Sequence, residues 1–182
     1  MEKLDVLSEV LVILHASLNA GKRLTQDYLI AFLYITRHIL GVKKKSNIIA
    51  VSSNGIEAPD LSVIINMLIK NRLISKDKDG YLYLTEKARY VLNDIISSRR
   101  SILLWKLASY LCKFSDQTIL ELAKYLASRD KQLENISLDV NKGGQSQDTE
   151  SEKIIIELLS ALKELLRKDK AFKMLSKKQT IY

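Results

Sequence analysis

The chain has 182 residues, 47% of them apolar and 27% charged, with six glycines, one proline and one cysteine. This composition excludes a low-complexity or disulfide-framed chain and leaves room for one buried core with an extension. A net charge of +8 favours an anionic partner, and the longest apolar run, Leu29 to Ile35, is far shorter than the roughly 18 residues a membrane-spanning helix needs.

Few glycines and a single proline predict long helices, and the apolar spacing places them. Leu4, Leu7, Leu11, Leu14 and Leu18 step by three and four, which puts a leucine stripe on a first helix that Gly21 ends. Thr25 starts a second helix running to about Leu40, with Gly41 as its stop. Its apolar residues from Leu29 to Ile39 cover most of its circumference, so it is expected to be central and buried. A lysine run, Lys43, Lys44 and Lys45, precedes a short β-branched stretch, Ile48 to Val51, and a Ser-Ser-Asn-Gly turn sequence. Pro59 tolerates a first helical turn and Asp60 suits its N-terminus, so a third helix is expected over Asp60 to Arg72.

Leu73 to Lys76 and Tyr81 to Leu84 then flank Asp77-Lys78-Asp79-Gly80, the pattern of a β-hairpin with a glycine-closed loop. Thr85 caps a helix to about Ser97, with Ala88, Val91, Leu92 and Ile95 as its apolar face. Helices follow over Ser101 to Lys113 and Asp116 to Ser128. Residues from Arg129 to Asp148, with Gly143 and Gly144, read as a flexible linker. Thr149 and Glu152 form a capping box ahead of a last amphipathic helix carrying Ile155, Leu158, Leu159, Leu162, Leu165 and Leu166. The expected fold class is mainly α with a small β-hairpin.

The stretch DLSVIINMLIKNRLISKDKDGYLYLTEKARYVL, Asp60 to Leu92, resembles the core of winged-helix (winged helix-turn-helix) proteins, in which a recognition helix leads into a hairpin wing. The Leu84-Thr85-Glu86-Lys87 step out of the hairpin carries much of that likeness, and the long segment from Gly41 to Pro59 departs from the usual tight turn. The resemblance implies a winged-helix domain over 1–98 and a helical extension over 99–130 packed on it. A linker over 131–148, the helix over 149–175 and a basic tail over 176–182 complete the chain. It further implies double-stranded DNA as partner, with the helix from Asp60 in the major groove and the Asp77 to Gly80 tip near the backbone or minor groove. By analogy with other regulators on this scaffold, it implies transcription regulation and a homodimer through terminal helices.

Such a helix needs a polar, cationic outer face. Ser62, Asn66 and Lys70 step by four opposite Leu61, Ile64, Ile65 and Leu68, and Asn66 has the amide that pairs bidentately with adenine. Lys43, Lys44, Lys45, Arg72, Lys76 and Lys78 are the expected phosphate contacts. Against this, four cations meet three carboxylates between Asp60 and Leu84, leaving only +1, while the excess lies around Lys22, Arg23, Arg37 and Lys43 to Lys45 and around Arg99, Arg100, Lys106 and Lys113. A winged-helix protein-interaction module is therefore the alternative. His15, His38 and Cys112 have no neighbours at metal-ligand or nucleophile spacing, and no phosphate-loop or nucleophile-elbow motif occurs. No enzyme activity, cofactor, metal or membrane association is expected. The opening Met-Glu-Lys-Leu-Asp lacks a signal peptide's order, so the expected location is cytoplasmic.

Overall fold

The computed structural model describes residues 6–41, 50–52, 55–136 and 150–168. In chain order the elements are α1 (Val6–Asn19), β1 (Leu24–Thr25), α2 (Gln26–Ile39), β2 (Ala50–Ser52), β3 (Gly55–Glu57) and α3 (Pro59–Lys70). There follow β4 (Ile74–Lys76), β5 (Tyr81–Leu84), α4 (Glu86–Ile96), α5 (Arg99–Leu111), α6 (Asp116–Ile136) and α7 (Glu150–Lys168). The protein is mainly helical with a small antiparallel sheet, as the sequence pattern predicts.

Val10 to Leu14 are buried without interruption. Consecutive helical residues are 100° apart, so five in a row face every direction and α1 is packed all round. It lies against α2, α4, α5 and β5. This corrects the single leucine stripe expected for α1, in which Leu7 and Leu18 prove only half-buried. α2 is buried from Ala31 to Thr36 and shares the centre with α1 rather than holding it alone. Both helices end at a glycine of positive φ, +72° at Gly21 and +65° at Gly41, where a Cβ would be strained.

The main sheet has the order β1-β5-β4, antiparallel throughout. Leu24 pairs with Leu82, and Ile74, Ser75 and Lys76 pair with Leu84, Tyr83 and Leu82. A second hairpin, β2 with β3, occupies the long segment before α3, in register Val51 with Ile56, and leans on α2 and α6. The β-branched stretch Ile48 to Val51 reaches into β2, and its partner β3 has no sequence signal; Ile48 and Ile49 lie outside the described residues. A three-residue Gly-Ile-Glu strand has no period to read, and only pairing makes it a strand.

α5 packs on α1 and α2, and α6 on α2, so the buried residues form one apolar cluster reaching from α1 to Leu158 and Leu162 of α7. α6 runs eight residues past the expected Ser128 and takes in the start of the expected linker. The added segment, Arg129 to Ile136, is free of Gly and Pro and rich in good helix formers. The glycines Gly143 and Gly144, the capping residue Thr149 and the basic tail lie outside the described residues. α7 contacts α6 within the chain and buries Leu158 and Leu162, while the side chains of Ile155, Leu165 and Leu166 lie outside those described. No helix among the described residues is long and apolar enough to cross a membrane.

Candidate nucleic-acid interface

α3 begins at Pro59 and buries only Leu61, Ile65 and Leu68, against α1 and β4. Its N-cap is the buried Ala58, which has no capping side chain, and Asp60 sits inside the first turn rather than capping it. The helix stops two residues earlier than the expected Arg72. Arg72 adopts φ +57°, its N–H donates to the Ile69 carbonyl (2.9 Å), and the Leu73 N–H donates to the Leu68 carbonyl (2.9 Å). These two bonds form a Schellman cap built on an arginine where glycine is usual.

The carbonyls left at the end of α3 explain the Thr85-Glu86-Lys87 step. The Thr85 hydroxyl donates to the carbonyls of Arg72 (2.6 Å) and Leu73 (3.1 Å), and Lys87 Nζ donates to that of Asn71 (3.2 Å). Thr85 Oγ1 also accepts from the Ala88 N–H, so one side chain caps α4 and ties it to α3.

At the hairpin loop, Asp77 Oδ1 accepts from the N–H groups of Asp79 (3.0 Å) and Tyr81 (2.9 Å), and Oδ2 accepts from the Tyr83 hydroxyl (2.9 Å). Desolvation alone would raise the Asp77 carboxyl, but these bonds, with Arg23 nearby, hold it below the usual range. Gly80, at φ +89°, closes the loop by donating to the Asp77 carbonyl (3.1 Å). Arg23 lies over the Tyr81 ring at 5.1 Å and donates to the Tyr83 hydroxyl (3.2 Å), which raises its already high pKa. The hairpin base is thus an Arg23-Tyr83-Asp77 chain with an exposed guanidinium at one end.

The structure places Ser62, Asn66 and Lys70 together on the exposed side of α3, with Arg72 exposed at its C-terminal end and Lys76 and Lys78 exposed on the hairpin. Ser62 Oγ accepts from Gln26 Nε2 (2.7 Å), which fixes the start of α2 beside the outer face of α3. Lys43, Lys44 and Lys45 lie outside the described residues. Four neighbours escaped the sequence reading: Arg23 and Gln26, brought close only by folding, and Val63 and Met67, which are 59% and 48% exposed. The last two were within reach of a helical wheel, which sets both away from the inward Leu61, Ile65 and Leu68.

Three of the cations counted elsewhere, Lys22, Arg37 and Arg100, are engaged internally. Glu9, 3% exposed, accepts from Arg37 Nε (2.6 Å) and faces Arg100 Nη2 (3.6 Å), tying α1 to α2 and α5. Lys22 Nζ pairs with Asp116 (2.7 Å) and donates to the Phe114 carbonyl (2.7 Å). His15 is half-buried, and burial, then Arg89, hold its imidazole below the ordinary value. Burial pushes the Cys112 thiol up to about 11, an inert setting for a nucleophile. Among the described residues, no three His, Cys, Asp or Glu side chains converge as a metal site.

Comparison of the chain with protein-family models, curated proteins and solved structures found no match.

Proposed function

We propose that this chain is a winged-helix protein that binds duplex DNA and acts as a transcription regulator, with α3 in the major groove and the β4-β5 hairpin against the neighbouring backbone. The order α1, β1, α2, α3, β4, β5, interrupted by the β2-β3 pair between α2 and α3, with β1 closing on β5, supports the winged-helix reading. One observation carries the functional reading. The Ser62, Asn66 and Lys70 stripe faces away from the packed interior, beside a hairpin that bears Lys76 and Lys78 and against which Arg23 stacks from just ahead of β1. On this reading Asn66 meets a base edge and the cations meet phosphates. A homodimer through terminal helices belongs to the same proposal, and sedimentation of the free protein tests it.

Val63 and Met67 favour a second reading, a protein-interaction module, because an exposed apolar pair beside nearly balanced charge also suits a protein partner. Titration against random duplex at several salt concentrations separates the two. DNA binding predicts log affinity falling with log salt at about −0.9 per phosphate contact. Lys76→Glu with Lys78→Glu should weaken every duplex alike and flatten that slope by about 2, whereas Asn66→Ala should cost about 1 to 3 kcal/mol on preferred sites only. No association with duplex at low salt gives the face to a protein partner.

A further inference from the structure

We infer that the outer face of α3 reads thymine through its methyl group, with Val63 and Met67 forming the apolar half of a reading surface whose polar half is Ser62, Asn66 and Lys70. This inference rests on the DNA-binding reading and names the class of duplex that the site takes.

The large apolar side chains exposed among the described residues are Val63, Met67, Tyr90, Val91 and Ile156, and two of them stand one turn apart on this helix. A single exposed apolar residue calls for no explanation, but an exposed pair one turn apart on a short helix that buries Leu61, Ile65 and Leu68 on its other side marks a contact surface. Asn66 is Met67's chain neighbour and stands three residues after Val63, so all three share one side of the helix.

The surround decides what the pair meets. Lys70 and Arg72 at the C-terminal end of the helix and Lys76 and Lys78 on the hairpin, with the exposed Asp79 among them and Asp77 bonded within the loop, form a rim of net positive charge, while the centre of the face is amide, hydroxyl and hydrocarbon. A major groove has the complementary layout, two phosphate rails around a floor of base edges. On that floor only thymine of the four bases presents a methyl group, and its partner adenine presents the N6/N7 pair that an asparagine side chain matches. One A·T pair, or two adjacent ones, therefore satisfies Asn66 and the apolar pair at once. Asp60, the one carboxylate on the helix, lies at its N-terminal end, which sets the C-terminal half closer to phosphate.

The test compares an A·T-rich duplex pool with the same pool carrying uracil in place of thymine, which removes the methyl and keeps pairing and charge. The full-length protein should lose roughly fourfold in affinity for each methyl it buries. Val63→Ser with Met67→Gln should bind both pools alike, with an unchanged salt slope and melting temperature, since both side chains are exposed. Equal wild-type affinity for the two pools overturns this inference while leaving DNA binding intact. Absence of binding to either pool at low salt overturns the DNA-binding reading, and this inference with it.

Discussion

Arg37 and Arg100 add two to the net charge yet serve the fold, because both face the Glu9 carboxylate where α1, α2 and α5 meet. A buried carboxylate held by two guanidiniums is costly to remove alone, since the cations left behind lose their counter-charge without regaining water. Glu9→Ala should lower unfolding stability by about 3 kcal/mol in urea titration, and restoring Glu9 should reverse the loss. His15 sets a pH limit of the opposite kind. Its folded-state pKa lies below the ordinary value, so the unfolded chain binds more protons as pH falls through about 6.5 and stability drops with it. In His15→Gln, the urea midpoint plotted against pH should be flatter between about pH 6.5 and 5.

At the scale of elements, the junction of α3 and α4 depends on Thr85, which caps α4 while donating to the carbonyls of Arg72 and Leu73 just past the end of α3. Thr85→Val should cost about 1 to 2 kcal/mol and Thr85→Ser little, measured by thermal unfolding. Arg72 separates stability from binding. At φ +57° an arginine is strained, so Arg72→Gly should raise stability by up to about 1 kcal/mol, and on the proposed DNA-binding reading it should weaken all duplexes equally. The β4-β5 hairpin was legible because its determinants are local: Asp77 accepts from residues two and four positions on, and Gly80 supplies the positive φ. The β2-β3 hairpin was not, since its short strands exist through mutual pairing and support from α2 and α6. Val91, expected on the apolar face of α4, is 37% exposed, because Ala88 and Leu92 already fill the contact.

At the scale of the whole molecule, α7 contacts α6 and buries Leu158 and Leu162 in the common core. Most of the stability of an amphipathic helix in a protein comes from packing of its apolar face. Leu162→Ala should therefore destabilise the protein by about 2 kcal/mol and speed amide exchange within α7, leaving duplex affinity unchanged. A fall in affinity would tie the C-terminal helices to the interface. The overall charge acts at this scale too: Lys22, Arg37 and Arg100 are engaged internally, and the cations near α3 sit on its end and on the hairpin.

The sequence by itself determined what depends on neighbours along the chain: the helical periods, the glycine stops at Gly21 and Gly41, the threonine cap at Thr85 and the Asp77 to Gly80 loop. Period, φ preference and capping act within a few residues and need no partner. Only the tertiary structure decided that α1 is packed on every side and that Arg23 stacks on Tyr81 while Arg37 is spent on Glu9. It also decided that Val63 and Met67 remain uncovered. Burial and ion pairing are set by which distant elements meet, and identical residue types take opposite roles according to what folds against them.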